Sequence, residues 1–115
     1  INVFTGKVEA GKLFIGTDAV LDVPGVADQE VYVGIRPEGF ELDDNGPLHC
    51  KLSNVEVMGR DVSVVTTHPA SCNLTIRSII DADCKVDVTA TSVRYNLKPH
   101  KVFIFNKETE ERIYF

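Results

Sequence analysis

Apolar and polar residues alternate along most of this chain at a period of two, the spacing of a β-strand with one covered face. Phe4 to Val8 and Leu13 to Ile15 flank Ala10-Gly11, where the glycine marks a turn. Ala19 to Val23 reads as a short third strand, ended by Pro24-Gly25. Val31 to Ile35 places Val31, Val33 and Ile35 on one face. Pro37 ends that strand, because it lacks an amide hydrogen and drives Arg36 toward extended backbone. Phe40 to Leu42 follows. Asn45-Gly46 is then a strong turn signal, since both residues tolerate positive φ.

Leu48, Cys50 and Leu52 share a face, whereas Val55 and Val57 fall out of step with them. A bulge near Ser53-Asn54 removes the conflict. Gly59 turns the chain into Val62 to Thr66, and His68-Pro69-Ala70-Ser71 reads as a loop. Leu74 to Ile80 is the next strand, and Asp81-Ala82-Asp83 turns into the alternation Cys84, Val86, Val88, Ala90. Val93, Tyr95 and Leu97 fall in the opposite phase, so a bend separates them. Pro99 marks a turn, and Val102 to Phe105 reads as a strand buried on both sides. Asn106 to Glu110 closes a last hairpin into Arg112 to Phe115. No long stripe at a period of 3.6 competes with this pattern. Short strands with frequent turns predict an all-β fold, a barrel or a sandwich.

With 115 residues, of which 43% are apolar, the chain is expected to be one domain, 1–115, with its own core. A net charge of −5 gives it no general attraction for nucleic acid or anionic lipid. The acidic runs at Asp43-Asp44 and from Glu108 to Glu111 read as solvated surface. Cys50, Cys72 and Cys84 are odd in number and widely spaced, a poor disulfide framework that points to a reducing compartment. No apolar run approaches the length of a membrane-spanning helix, and no signal peptide is visible in residues 1–11. The start at Ile1 rather than Met reads as an excised domain or a processed product.

Candidate chemistry is sparse. The chain has no GxxxxGK[ST], GxGxxG or GxSxG motif. His49, His68 or His100 with Asp61 or Asp81 would imitate part of a catalytic triad, but order along the chain carries almost no specificity. His68, Cys72 and Cys84 are loosely metal-like, yet no closely spaced cysteine pair accompanies them. Among the carboxylates Glu38, Glu41 and Glu56, the last sits between two valines, facing water or else a groove or partner. Phe40, Tyr95, Phe103 and Phe105 with Lys98, His100 and Lys101 hold the parts of a nucleic-acid platform, but the VFIF run reads as core and the basic cluster is small.

Gly34-Ile35-Arg36-Pro37-Glu38 (GIRPE) closely resembles a signature of the C-terminal domain in ATPase subunits of maltose- and multiple-sugar-type ABC importers, the TOBE (transport-associated, OB-like) region. Three further segments resemble that family in order and spacing: Asn2-Val3-Phe4 with Gly6, Val55 to Asp61 (VEVMGRD), and the closing hairpin 102–115 with VFIFNKET and Arg112-Ile113. Together they cover essentially the whole chain. Two departures stand out. Glu110 occupies the position of the family's turn glycine, where a residue with a Cβ is costly, and Asn106 replaces an aspartate, keeping its turn-forming ability without the charge.

The resemblance implies an OB-like small barrel with an additional short-stranded β layer, acting as a non-catalytic regulatory and dimerisation domain. It implies no cofactor in this chain, with ATP and Mg held by an upstream domain. It implies as partners a second copy of the ATPase subunit, the transporter's membrane subunits through the parent, and a cytosolic regulatory protein, at the cytoplasmic side of the cell membrane. The family-signature and interface candidates are Gly34, Arg36, Pro37, Glu38, Glu56, Gly59, Asn106 and Thr109. In an extended chain Arg36 and Glu38 point to similar sides and would pair with each other or reach another strand. The alternatives are a molybdate-type oxyanion-binding barrel using hydroxyls such as Ser71, Ser78, Thr89 and Thr91, a small β enzyme, and a purely structural β domain.

Overall fold

In the computed structural model, which describes residues 1–81 and 90–115, the alternating segments become strands. They are β1 (Asn2–Glu9), β2 (Lys12–Ile15), β3 (Asp18–Asp22), β4 (Gln29–Ile35), β5 (Phe40–Leu42), β6 (Leu48–Met58), β7 (Asp61–Thr67), β8 (Ile76–Asp81), β9 (Ser92–Leu97), β10 (Val102–Asn106) and β11 (Arg112–Ile113). They pair into two antiparallel sheets, ordered β11-β10-β4-β1-β2-β3 and β5-β9-β6-β7-β8. In the second sheet the edge strands β5 and β8 come together, so its five strands form a nearly closed, barrel-like layer. The fold is all-β, as the alternation predicts.

One core joins the sheets. Phe4, Leu13, Ile15, Val33 and Ile104 enter it from the first sheet, and Leu48, Val64, Ile76 and Tyr95 from the second. Two crossovers connect the sheets. A 3-10 turn at Pro37–Gly39 carries β4 into β5, and another at Pro99–Lys101 carries β9 into β10. Because β4 pairs with β10 and β5 with β9, the crossovers run side by side in opposite directions. The Arg36 amide donates to the Lys101 carbonyl at 3.2 Å, and the Lys98 amide donates to the Gly39 carbonyl at 2.8 Å. A Cβ on Gly39 would lie 2.8 Å from Lys101 Cβ, so close packing of the two turns requires the glycine.

Several local expectations hold. The register of β6 shifts between Leu52 and Asn54, the bulge that the phase change demands. Others are corrected. Leu74 is 97% exposed and precedes β8, which begins at Ile76. The VFIF run is covered on one face only: Val102 and Ile104 are buried, while Phe103 and Phe105 are half-buried on the other side. The bulge leaves Val55 half-buried, but Val57 remains 76% exposed. Neither Asn45 nor Gly46 has positive φ. The turn instead closes through the Gly46 amide to the Asp43 carbonyl at 2.8 Å, and a Cβ on Gly46 would collide with the Tyr95 backbone. The alternation over residues 84–89, with Cys84, lies outside the described residues.

Candidate functional site

The GIRPE segment ends β4 and builds the first crossover. Gly34 lies between Val3 and Phe103 in the sheet, and a Cβ there would come within 3.0 Å of Ile1 Cδ1. The close approach at Gly34 is thus made by a side chain. Pro37 opens the 3-10 turn, with its fixed φ and missing donor suited to that position. Arg36 and Glu38 do not pair with each other. The Arg36 guanidinium stands 5.6 Å from the centre of the Phe103 ring, and Glu38 reaches Lys101 of the second crossover at 3.5 Å. A hydrogen bond from its own backbone amide, assisted by Lys101, holds the Glu38 carboxyl below the ordinary carboxylate range.

Asn106 and Thr109 organise the closing hairpin. Asn106 Oδ1 accepts the amides of Glu108 and Thr109, each at 2.9 Å, while its Nδ2 donates to Gln29 Oε1 at 2.8 Å. An aspartate would accept the first two bonds but has no donor for the third. Thr109 Oγ1 accepts the Glu111 amide at 3.3 Å. Glu110, at the position where the resemblance expects glycine, has a left-handed backbone with φ 61°. Arg112 then lays its guanidinium 4.8 Å from the Phe103 ring and 4.6 Å from the Tyr114 ring. Phe103 therefore collects both Arg36 and Arg112, a grouping hidden while VFIF reads as core.

Glu56 and Gly59 belong to the other sheet. Glu56 is exposed on β6 and meets Arg77 Nη1 at 3.4 Å, while the same nitrogen donates to Ser63 Oγ at 3.0 Å. Gly59, with φ 64°, supplies the left-handed position of the β6–β7 hairpin. The candidates therefore form three groups: Gly34 to Glu38 at one end of β10, Asn106 and Thr109 at its other end, and Glu56 with Gly59 on the second sheet.

Two of the three histidines, His49 and His68, meet a carboxylate that the sequence does not single out, while His100 lies in the second crossover. Asp18 Oδ2 accepts the His49 amide at 3.1 Å, its Oδ1 lies 3.3 Å from His49 Nδ1, and His68 Nε2 stands 3.9 Å from Oδ2. The Ala70 amide donates to His68 Nδ1 at 3.0 Å, so the neutral ring carries its proton on Nε2, toward Asp18. Burial lowers the pKa of His68, with Asp18 acting against the shift. Asp61 instead sits opposite Asp81 in the β7–β8 pair. Inside the barrel, burial pushes the Cys50 thiol and the Tyr95 phenol each up to about 12. Tyr95 shares a 2.9 Å hydrogen bond with Ser78, and Ser71 donates to the Asn73 carbonyl at 3.0 Å, so these hydroxyls are engaged within the chain. Phe40 and Tyr95 are fully buried and offer no stacking face.

Among the described residues, two shallow grooves mark the surface. One of about 280 Å³ lies between Lys12 and the edge strand from Ala19 to Asp22, and the other, of about 180 Å³, lies at the β6 bulge beside Ala90. Neither contains a signature residue. Among the described residues no three His, Cys, Asp or Glu side chains converge to hold a metal ion. No helix of the described residues is long and apolar enough to cross a membrane.

The strands and their paired crossovers thus make an all-β, two-sheet fold, with the residues that carry the resemblance along the β4–β10 seam and on the β6–β7 hairpin. Among curated proteins, the chain is similar to the sn-glycerol-3-phosphate import ATP-binding protein UgpC of Ruegeria sp. (strain TM1040), with 28% identity over 120 residues. That match takes in 98% of this chain but only 32% of the relative, so the chain spans about a third of that protein's length. No protein-family model matches the chain.

Proposed function

We propose that this chain is the accessory TOBE-type domain of an ATP-binding subunit in an ABC importer for sugars or related solutes. There it holds two subunits together and receives a cytosolic regulatory protein. The observation that carries this reading is the collinear likeness to an import ATP-binding protein over 98% of the chain. The structural tasks of the signature residues support it. Asn2 and the GIRPE segment join the two sheets, and Asn106 and Thr109 shape an exposed hairpin next to them.

In this reading the chain performs no chemistry. Its sequence carries no phosphate-binding loop of the GxxxxGK[ST] type, which supports placing nucleotide and magnesium elsewhere in the parent. ATP and Mg belong to a domain that precedes Ile1 in the parent subunit. The parent docks on the transporter's membrane subunits, peripheral to the cytoplasmic face, and this domain reaches the membrane only through it. The solute passes elsewhere, and nucleic acid is not a partner.

The test is to read the native gene on the 5′ side of the Ile1 codon and to titrate this chain with Mg·ATP by calorimetry. A GxxxxGK[ST] motif upstream and no heat of binding are expected. A start codon directly before Ile1 would overturn the importer reading, and micromolar nucleotide binding would overturn the non-catalytic one.

A further inference from the structure

The outer face of the first sheet is aromatic and electrically two-ended. Tyr32 on β4 and Phe103 and Phe105 on β10 point away from the core and are half-buried. At one end of β10 the guanidiniums of Arg36 and Arg112 gather over Phe103, and Tyr114 beside them is 76% exposed. At the other end the closing turn exposes Glu108, Glu110 and Glu111 together with Lys107, whose ammonium stands 6.0 Å from the centre of the Tyr32 ring and leaves the turn net negative. Among the described residues none of these two arginines and three acids is ion-paired within the chain. Arg36 is separated from the acidic turn by the length of β10, roughly 13 Å at the rise of a strand, whereas Arg112 starts opposite Phe105 and reaches back toward Phe103.

Such a surface is complementary to itself in one orientation. A two-fold axis lying in the sheet plane, perpendicular to β10, turns the face onto its copy and reverses the strand direction. Each cationic end then meets an acidic turn, twice per dimer, while the aromatic rows meet at the centre. The same-direction arrangement puts like charges together and is disfavoured. Arginine and aromatic side chains are also the residues that most often anchor protein interfaces. We propose that this face, centred on β10 and β11, is where a second copy of the chain docks antiparallel, Arg36 and Arg112 of one copy meeting the acidic turn of the other. The inference rests on the dimerisation reading above and names its surface.

Sedimentation equilibrium of the chain tests it, with circular dichroism as a check on folding. The wild type is expected to self-associate, and both Arg36→Glu/Arg112→Glu and Glu108→Arg/Glu111→Arg to raise Kd roughly tenfold or more. An equimolar mixture of the two variants is expected to recover the dimer. If the wild type dimerises but neither variant changes Kd, the surface is wrong and the dimerisation reading stands. If the wild type stays monomeric at every concentration, the dimerisation reading itself fails. Should the variants not fold, the wild type in rising NaCl decides: association that weakens with salt supports charge pairing, and salt-independent association overturns it.

Discussion

Glu110 holds a backbone conformation that its side chain opposes. Its φ of 61° lies where a Cβ crowds the neighbouring carbonyl, at a cost of about 1–2 kcal/mol. The hairpin nevertheless keeps it there. The Glu110 amide donates to the Asn106 carbonyl at 2.8 Å, and the Asn106 amide donates to the Glu111 carbonyl at 2.8 Å. Glu110→Gly removes the crowding while keeping both bonds, and a small increase in unfolded-state entropy offsets part of the gain. The expected outcome is a stabilisation of about 1 kcal/mol, read as a higher urea midpoint at unchanged slope. A variant no more stable than the wild type would mean that the glutamate is not strained. The sequence exposes half of this. Glu110 stands visibly where the family resemblance places glycine, but whether the backbone had relaxed depends on the bonds around Asn106, which are made by folding.

At the scale of elements, the two sheets are fastened by one asparagine as well as by apolar packing. Asn2 is 6% exposed. Its Oδ1 accepts the Arg77 amide at 3.0 Å, and its Nδ2 donates to the carbonyls of Arg77 at 2.9 Å and Ile35 at 3.3 Å. The side chain thus ties β1 and β4 to β8. Asn2→Ala leaves three backbone groups without this partner, and each stranded buried group costs about 1–3 kcal/mol. A loss of about 2 kcal/mol or more in urea unfolding is expected, and a loss below about 0.5 kcal/mol would mean that the core alone holds the sheets. Strand positions were legible because alternation is a local property, and the β6 bulge announced itself as a break in phase. Contacts between distant segments were not. VFIF looks the same to a local reading whether covered on one face or both, and Gly46 answers to the Tyr95 backbone rather than to the turn geometry its neighbour suggests. The GIRPE segment stood out in the sequence as a resemblance. Its pairing of Glu38 with Lys101 was not legible, because that contact exists only once the two crossovers lie side by side.

At the scale of the whole molecule, His68 belongs to a cluster in which both sheets meet one carboxylate. Asp18 from β3 in the first sheet meets His49 from β6 in the second, and His68 from the loop after β7 approaches the same carboxylate. The His68 side chain is 7% exposed and stands edge-on to Phe4, with ring centres 5.9 Å apart. Its Nδ1 accepts the Ala70 amide, and Ala70 in turn accepts the Thr5 amide at 2.8 Å. A proton on Nδ1 would break the first bond and loosen the loop from β1. Burial disfavours that proton, while Asp18 favours it, and the net pKa lies below the ordinary value of 6.5. The unfolded chain therefore takes up the proton first as pH falls. The stability that neutral His68 contributes is fully present above about pH 6.5 and is lost as pH drops toward its folded value. His68→Asn removes the titration and keeps an acceptor near the Nδ1 position for Ala70. Urea midpoints measured from about pH 7.5 to about pH 5 are expected to fall more steeply for the wild type than for the variant. Parallel curves would place the acid sensitivity elsewhere, whereas a flatter curve for the variant would tie the hold of this loop on the first sheet to one buried imidazole.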